Sequence, residues 1–223
     1  MRECHYRDLG SLGYQAAFDV QRDLVEQRKQ ASIPDQLLLL EHPHTITLGR
    51  NGHMENLLAN GDVLRRSGIE FHATDRGGDI TYHGPGQAVG YPILDLREWK
   101  RDVGAYMRAV EQVIIDTLDE FVITAGRVPG LTGVWVNGRK IAAIGVRISR
   151  WVTSHGFALN VNTDLSYFKY IVPCGLSKPV TSMQALGVQT DVEEVSELVA
   201  VHFGRVFDRE MTGQTLKVLT ESI

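Results

Sequence analysis

The spacing of apolar residues predicts several helices. In residues 13–29 apolar side chains recur every three or four positions, which is the pattern of an amphipathic helix. The same rhythm predicts a long helix whose N-cap is Asp102, and a last helix over about residues 191–207. The helix that begins after Asp102 is expected to cover one side of a sheet.

Short runs rich in β-branched and aromatic residues, separated by glycine or proline, predict strands. A short strand is expected near residues 3–6, and "DQLLLL" predicts a buried strand that ends at His42-Pro43. Four further runs are expected to lie in one sheet: "TITLGR" (45–50), "IEFHATD" (69–75), "DITYH" (79–83) and "VGYPILDL" (89–96).

Asn137-Gly138 lies between two β-rich runs and is the strongest short-range signal for a hairpin. Residues 152–161 predict a third strand of this meander, and residues 214–219 predict a closing strand. No repeat or linker-like segment interrupts the chain. We therefore expect one α/β domain over residues 1–223, built on a mixed sheet.

Composition and charge exclude several classes of protein. The chain has 223 residues, a net charge of -4 and scattered basic residues, which argues against a nucleic-acid-binding surface. Its first residues are charged and no run reaches the roughly 18–20 apolar residues of a membrane span, so a cytoplasmic protein is expected. Cys4 and Cys174 form no C-x-x-C pair, so no disulfide is expected.

Cys174 and Lys140 are the first candidates for chemistry. Cys174 lies between a proline and a glycine, which suits a thiol presented from a turn, although a free cysteine can also be a buried, inert residue. Lys140 opens the second hairpin strand, and strict alternation would place it on one face with Ala142, Ile144 and Val146. A lysine on an apolar face suits catalysis, and its alternative is a snorkelling strand end.

A lysine beside the thiol would act mainly by moving protons. A pKa lowered by ~2 units would raise the thiolate fraction at pH 7 roughly 25-fold. The same change costs about 8-fold in nucleophilicity, so the net gain is only about 3-fold. Proton transfer between thiol, leaving group and incoming amine is the more productive role, which makes Cys174 and Lys140 a candidate dyad.

The segment "RGGDITYHGPGQAVGY" (76–91) is a second candidate site. Its glycines at 77 and 78 would let backbone amides approach an acyl or carbonyl group, although an ordinary glycine-rich hairpin fits equally well. It matches no phosphate-loop pattern, so no nucleotide is implied. His83 and His155 could orient groups or relay protons, or be hydrogen-bonded core histidines.

Two further features have ordinary interpretations. His42 and His44 form an H-x-H pair without a third ligand type nearby, so a loop of solvated histidines is expected and no metal site. Arg147, Arg150 and Trp151 could dock an acidic partner, but a solvated strand end is the simpler interpretation.

Three segments together resemble the lipoyl(octanoyl) transferase family, the octanoyl-transfer enzymes of lipoate synthesis. They are "RGGDITYHGPGQ" with its following "AVGY", "GVWVNGRKIAAIGVR" with "SHGFALNV", and "IVPCGL". These segments cover Arg76 to Leu176, and beyond about Leu186 the sequence is undiagnostic. The resemblance implies a fold similar to the catalytic domains of biotin and lipoate protein ligases, with a largely antiparallel mixed sheet flanked by helices.

The resemblance also implies a reaction. An octanoyl group would pass from octanoyl-acyl carrier protein to one lysine of a lipoyl-accepting domain, as in 2-oxoacid dehydrogenase complexes and the glycine cleavage H protein. Cys174 would form the acyl-thioester and Lys140 would tune it. No cofactor would be needed, because thioester exchange is nearly balanced and conversion of thioester to amide runs downhill.

The same resemblance assigns residues to the acyl-substrate site. The implied residues are Arg76, Gly77, Gly78, Asp79, Ile80, Thr81, Tyr82, His83, Ala143, Ile144, Gly145, Gly156, Phe157 and Ala158, with His155 in an orienting role. An apolar tunnel for the acyl chain is expected with them. The alternatives are an ATP-dependent protein ligase, a thiol hydrolase, and a non-catalytic module that binds acyl carrier protein.

Overall fold

Two β-sheets of different size form the scaffold of the protein. The structure, a computed structural model, describes residues 1–172 and 178–215. The strands in these ranges are β1 (Arg2–Ser11), β2 (Asp35–Glu41), β3 (Thr45–Leu48), β4 (Glu70–Ala73), β5 (Ile80–His83), β6 (Gln87–Ile93), β7 (Gly126–Val128), β8 (Leu131–Val136), β9 (Arg139–Ser149), β10 (Val152–Asn160) and β11 (Arg209–Thr215). The helices are α1 (Tyr14–Lys29), α2 (Gly61–Arg66), α3 (Val103–Asp119) and α4 (Val192–Phe207).

The large sheet has eight strands in the order β11-β1-β2-β6-β10-β9-β8-β7. The pairs β11–β1 and β1–β2 are parallel, and all other pairs in this sheet are antiparallel. The prediction of a mixed, largely antiparallel sheet flanked by helices is therefore confirmed.

Helices cover both faces of the large sheet because its central strands are apolar on both sides. In β2, Leu37 and Leu39 pack into a core with α3 and α4, while Leu38 and Leu40 pack into a second core with α1. Successive strand residues point to opposite faces, so a continuous leucine run fills both cores. The predicted buried strand is thus confirmed as a central element of the sheet.

The small sheet has the order β4-β3-β5 and packs on its own apolar cluster. The expectation that four neighbouring runs share one sheet is wrong, because β6 lies between β2 and β10 in the large sheet. The chain changes sheets at a tight turn between β5 and β6, where Gly86 has a φ of +81°. That turn brings the small sheet against the face of the large one.

Local signals in the sequence locate most helix and hairpin boundaries. The Asp102 side chain caps α3 by accepting a hydrogen bond from the Ala105 amide at 2.9 Å. Asn137 and Gly138 both have positive φ, as a two-residue hairpin turn requires. β11 begins at Arg209, before the predicted closing strand, and residues 216–219 of that prediction lie outside the described residues.

Within residues 1–172 and 178–215, no helix combines the length and the apolar character needed to span a membrane.

Candidate active site

A cavity lies where β5 of the small sheet meets β6, β9 and β10 of the large sheet. It encloses about 480 Å³ of empty space, part of it open to solvent. Its walls include every residue implied for the acyl-substrate site except Gly77 and Tyr82, and also His155. Tyr14 from α1 and Tyr91 from β6 complete the lining, and the sequence did not assign either to the site.

Arg76 anchors one wall of the cavity through hydrogen bonds to β3. Its Nη2 donates to the Thr47 carbonyl oxygen at 2.7 Å and to the Thr47 hydroxyl at 2.8 Å, and its Nε donates to the same hydroxyl at 3.2 Å. Nη1 donates to the Gly77 carbonyl oxygen at 3.1 Å. The guanidinium therefore fixes the turn that carries the glycine pair.

The glycine pair is held tightly against β9. The Gly77 amide donates to the Val146 carbonyl oxygen at 2.8 Å. A Cβ on Gly145 would lie only 2.8 Å from the Gly77 carbonyl oxygen, and a Cβ on Gly49 would lie 2.3 Å from that of Gly78. These glycines allow backbones to approach each other, so the Gly77 amide is occupied by the protein itself.

Tyr82 points away from the cavity, on the opposite face of β5 from Thr81 and His83. Its hydroxyl is 2.8 Å from Nδ1 of His44, and its ring stacks on Tyr167 with centroids 5.3 Å apart. Tyr82 therefore belongs to the core of the small sheet in this structure.

A β-bulge changes the environment of Lys140. The β8–β9 register passes from Val134 opposite Ala142 to Trp135 opposite Lys140, so one additional residue, Ile141, is inserted in β9. The expected strict alternation of Lys140 with Ala142 is therefore wrong. Ala142 packs in the core beside α3 and α4, whereas the Lys140 ammonium lies 4.9 Å from the centroid of the Trp135 ring.

Lys140 lies beside two spaces that share walls with the cavity. The first is an open groove of about 1480 Å³ of empty space, which shares Gly78, Asp79, Ile144 and Gly145 with the cavity. The second is a recess of about 310 Å³, which shares Thr81, Ala143 and Ala158 with it. Gly77 lines the groove. The structure therefore places the candidate lysine at the edge of the predicted acyl site.

Cys174 lies outside the described residues, as do its neighbours from 173 to 177. The residues on either side are well bonded. The Val172 amide donates to the Asn56 carbonyl oxygen at 2.8 Å, and the Lys140 amide donates to the Pro179 carbonyl oxygen at 2.9 Å. Asn56 and Lys140 both line the groove, so the described chain leaves and returns beside it.

His83 is buried and held as the neutral Nδ1–H tautomer. Burial lowers the pKa of His83 to about 3. The Gln87 amide donates through Nε2 to the Asn160 Oδ1 at 2.9 Å, so its Oε1 accepts from His83 Nδ1–H at 2.8 Å. The Thr47 hydroxyl is 3.5 Å from the other ring nitrogen of His83. These contacts match a hydrogen-bonded core histidine, the ordinary alternative in the sequence.

The hydrogen bonds continue from His83 to the backbone of Lys140. The Asn160 amide donates through Nδ2 to the Thr181 carbonyl oxygen at 2.9 Å. The Thr181 amide donates in turn to the Lys140 carbonyl oxygen at 2.9 Å. Gln87, Asn160 and Thr181 are all buried, and Gln87 and Asn160 also line the recess beside Lys140. These hydrogen bonds link the cavity wall on β5 to the strand that carries the candidate lysine.

His155 is fixed by an acidic partner outside the cavity. Its Nε2 is 2.8 Å from the Asp75 carboxylate, which also pairs with Arg147. Burial lowers the pKa of His155, and the Asp75 hydrogen bond opposes that shift. Its φ of +54° is unusual for a residue other than glycine and aims the ring back beside Phe18 of α1. Arg147 therefore has a partner and is not simply a solvated strand end.

His42 and His44 are not the solvated loop that the sequence suggested. His42 is fully buried, its Nδ1 donates to the Leu12 carbonyl oxygen at 2.6 Å, and its Nε2 accepts from the Tyr91 hydroxyl at 2.7 Å. Burial lowers the pKa of His42 to about 4. His44 stacks on Tyr167 with ring centroids 4.1 Å apart. No group of three metal-ligating side chains occurs among the described residues.

The sequence did not reveal four residues that line or support the site. Tyr14 appears in the sequence as one apolar position of α1, and Tyr91 as one position of β6. Gln87 and Asn160 are polar residues in otherwise apolar strands, and burial of polar groups requires partners. A polar residue in an apolar strand signals a buried hydrogen bond, but the sequence does not show which residue is the hydrogen-bond partner.

Known proteins resemble this chain over most of its length. Residues 13–204 match the family model of the lipoyl protein ligase A/B catalytic domain. A protein of Solibacter usitatus named octanoyltransferase is 68% identical over 211 residues, which cover 95% of this chain and 96% of that protein. An octanoyltransferase of Koribacter versatilis is 51% identical over 211 residues, which cover 92% of this chain and 84% of that protein.

Solved structures share the fold at low sequence identity. Lipoate-protein ligase A bound with ATP superposes with a TM-score of 0.80 at 16% identity, covering 97% of this chain and 90% of that chain. Biotin protein ligase from Aquifex aeolicus gives a TM-score of 0.53 at 12% identity, covering 93% and 70%. The chain belongs to the lipoyl protein ligase A/B catalytic domain family. Within that family it falls in the octanoyltransferase branch.

Proposed function

We propose that this protein transfers an octanoyl group from octanoyl-acyl carrier protein to a lysine of a lipoyl-accepting domain, through a thioester on Cys174. The reaction class, acyl transfer in lipoate biosynthesis, follows from its octanoyltransferase relatives. The observation that carries the proposal is the cavity walled by most of the implied acyl-site residues, which shares walls with the groove and the recess that Lys140 lines.

The cavity suits an alkyl chain. Small and apolar residues of β9 and β10 form one side of the cavity, among them Ala143, Gly145, Gly156 and Ala158. Burial of about six methylenes would contribute roughly 5 kcal/mol, at ~0.8 kcal/mol for each. That contribution would bind the acyl group firmly while its carbonyl carbon stays near Lys140.

Chain connectivity supports the pairing of Cys174 with Lys140. In the sequence, Cys174 follows Val172 by two positions. The Val172 amide is bonded to Asn56, and Pro179, which follows Cys174, is bonded to the Lys140 amide. The described residues on both sides of Cys174 are therefore bonded to residues that line the groove, which supports the proposed pairing.

The proposed chemistry has two balanced steps. The Cys174 thiolate attacks the donor carbonyl carbon, a new S–C bond forms, and the carrier sulfur leaves and takes a proton from Lys140. The acceptor lysine amine then attacks the same carbon, a C–N bond forms, the Cys174 sulfur leaves, and the amine gives its proton back to Lys140. Thioester exchange is nearly balanced and amide formation is downhill, so neither ATP nor another cofactor is required.

The partners follow from the same reaction. Lipoyl-modifying enzymes act on lipoyl-accepting proteins, and we assign as acceptors the lipoyl domains of 2-oxoacid dehydrogenase complexes and the glycine cleavage H protein. We place the reaction in the cytoplasm, where acyl carrier protein and these acceptors would meet.

Intact-mass spectrometry tests this function directly. The full chain is incubated with octanoyl-acyl carrier protein without ATP, and a covalent octanoyl adduct on Cys174 is expected. Addition of a lipoyl domain should move the adduct to its lysine. Cys174→Ser should abolish transfer, with Cys4→Ser as the matched control, because Cys4 is a buried free thiol.

Four results would contradict the proposal. Full transfer by Cys174→Ser, or a requirement for ATP with an acyl-adenylate, would indicate a ligase. Release of free octanoate at the same rate with and without the acceptor domain would indicate a thiol hydrolase. Failure to form any adduct or product would indicate a module that only binds the carrier.

A further inference from the structure

Four rings close the part of the cavity that lies away from Lys140. They belong to Tyr14, His83, Tyr91 and His155, which all line the cavity. None of the four lines the groove or the recess, the two spaces beside Lys140. In the β9–β10 register His155 lies opposite Val146, six positions along β9 from Lys140, about 20 Å at the rise of a strand. The four rings, here called the ring box, therefore form its far end.

The polar atoms of the ring box are directed away from the cavity. The Tyr14 hydroxyl donates to the Thr74 hydroxyl at 3.0 Å, and the Tyr91 hydroxyl is 2.7 Å from Nε2 of His42. Neither Thr74 nor His42 lines the cavity. The tyrosines therefore present ring carbon to the cavity and keep their hydroxyl groups satisfied behind it.

The two histidines of the ring box are also hydrogen-bonded to residues that do not line the cavity. His83 is bonded to Gln87, and His155 is bonded to Asp75, and neither partner lines the cavity. Burial also lowers the pKa of both histidines, so neutral imidazole rings face the cavity. An end wall made from polar residues is thus chemically apolar. Such a wall fits a terminal methyl group.

The rings are also fixed in position. The Tyr91 hydroxyl is held by His42, whose Nδ1 is held by the Leu12 carbonyl oxygen at 2.6 Å. Tyr91 meets the His155 ring with centroids 6.4 Å apart, and Tyr14 stacks near His83 at the same separation. Each ring is held by a hydrogen bond on the side away from the cavity and by contact with a neighbouring ring. The rings therefore cannot move easily to make room for a longer acyl chain.

We propose that the ring box is the chain-length stop of this enzyme, and that Tyr91, anchored by His42, sets the longest acyl chain that fits. The proposal rests on the proposed function in one respect, which is that the cavity takes the acyl chain. Tyr91 and Tyr14 are then specificity-determining residues that touch the methyl end of the substrate.

The first experiment measures binding without turnover. Free fatty acids of six, eight, ten and twelve carbons are titrated into the full chain by calorimetry. We expect affinity to rise about 4-fold for each added methylene, the equivalent of ~0.8 kcal/mol, up to eight carbons and to fall beyond that length. In Tyr91→Leu the chain length above which affinity decreases should rise to ten or twelve carbons. Tyr14→Leu, which changes α1 and not β6, should raise this length limit as well.

The second experiment measures transfer with acyl-carrier-protein donors of the same lengths. The ratio of kcat/KM for decanoyl over octanoyl should rise at least 10-fold in Tyr91→Leu. Tyr91→Phe keeps the ring but loses the hydrogen bond to His42, so its ratio should rise less than that of Tyr91→Leu. Tyr106→Leu is the matched control, because Tyr106 is an equally buried tyrosine in the core beside α3 and α4 and does not line the cavity.

The outcomes separate the two proposals. An unchanged length limit in both Tyr91→Leu and Tyr14→Leu, or an equal shift in Tyr106→Leu, overturns the chain-length stop while octanoyl transfer stands. A wild-type protein that shows the length limit in binding but transfers no octanoyl group supports the stop and overturns the proposed function.

Discussion

Lys140 and Trp135 face each other across the β8–β9 ladder, with the Lys140 ammonium 4.9 Å from the centroid of the indole ring. The bulge at Ile141 creates this pairing, because it moves Lys140 out of line with Ala142. A cation over an indole face is stabilised by about 0.5–2 kcal/mol. The ring therefore holds the ammonium at the boundary between the groove and the recess.

Replacement of Lys140 by alanine should reduce octanoyl transfer strongly and leave the fold intact. Proton transfer by a positioned side chain contributes typically 10²–10⁴-fold, so we expect kcat to fall at least about 100-fold. The side chain lies beside open spaces, so its truncation leaves no sealed cavity. Single-turnover transfer from octanoyl-acyl carrier protein measures the rate, and thermal unfolding checks the fold.

A matched variant separates charge from proton transfer. Lys140→Arg keeps a cation but cannot release its proton, so it should be as slow as Lys140→Ala. Alkylation of Cys174 should remain measurable in both variants. Normal transfer by Lys140→Ala would refute the dyad, even if the cysteine proved essential.

Asn160→Leu should reduce both stability and rate. Asn160 receives a hydrogen bond from Gln87 and donates one to the Thr181 carbonyl oxygen, and all three residues are buried. Each group left without its partner costs about 1–3 kcal/mol, so urea unfolding should show a loss in this range or above. Loss of the link to Thr181 should also lower kcat more than it changes KM. Asn162→Leu, at an exposed neighbour, is the control.

The sequence predicted the elements whose signals are local. The helical rhythm of residues 13–29, the Asp102 cap and the Asn137-Gly138 turn each depend on neighbours within a few positions, and each is confirmed. The fold family was also accessible, because the residue combination around Lys140 and the "RGGDITYH" run is specific. Local signals therefore predicted individual elements, and the resemblance to a family implied the architecture.

Features that depend on distant contacts could not be predicted in this way. The assignment of β6 to the large sheet is decided by pairing with β2 and β10, which no local pattern encodes. The insertion of Ile141 is decided by the register against β8. His42 seemed a solvated loop residue because its partners, Leu12 and Tyr91, are 30 and 49 positions away in the chain.

Stability should fall as the pH drops below about 6.5, because His42, His83 and His155 are buried and their pKa values are lowered in the folded state. The ordinary pKa of 6.5 is lowered in the folded state to about 3 for His83 and about 4 for His42. Between these values the unfolded chain binds more protons than the folded chain, so the free energy of unfolding decreases with falling pH. The decrease should reach up to about 1.4 kcal/mol per pH unit for each histidine.

Urea unfolding at pH 7, 6 and 5 measures this slope above the range in which most carboxylates titrate. His83→Gln should lose part of the slope, because His42 and His155 still resist protonation in that variant. An identical slope in wild type and His83→Gln would show that the pH dependence has another origin.

Gly156→Ala should destabilise the protein because β10 passes too close to β6 for any side chain. A Cβ on Gly156 would lie 2.1 Å from the Gly90 carbonyl oxygen, and a backbone atom cannot rotate aside. Overpacking of this kind costs about 1–3 kcal/mol or more. At about 2–4 °C per kcal/mol the Tm should fall by several degrees. Gly126→Ala, where a Cβ would meet nothing within 4 Å, should unfold like the wild type, and equal Tm values for the two variants would contradict this account of the β6–β10 contact.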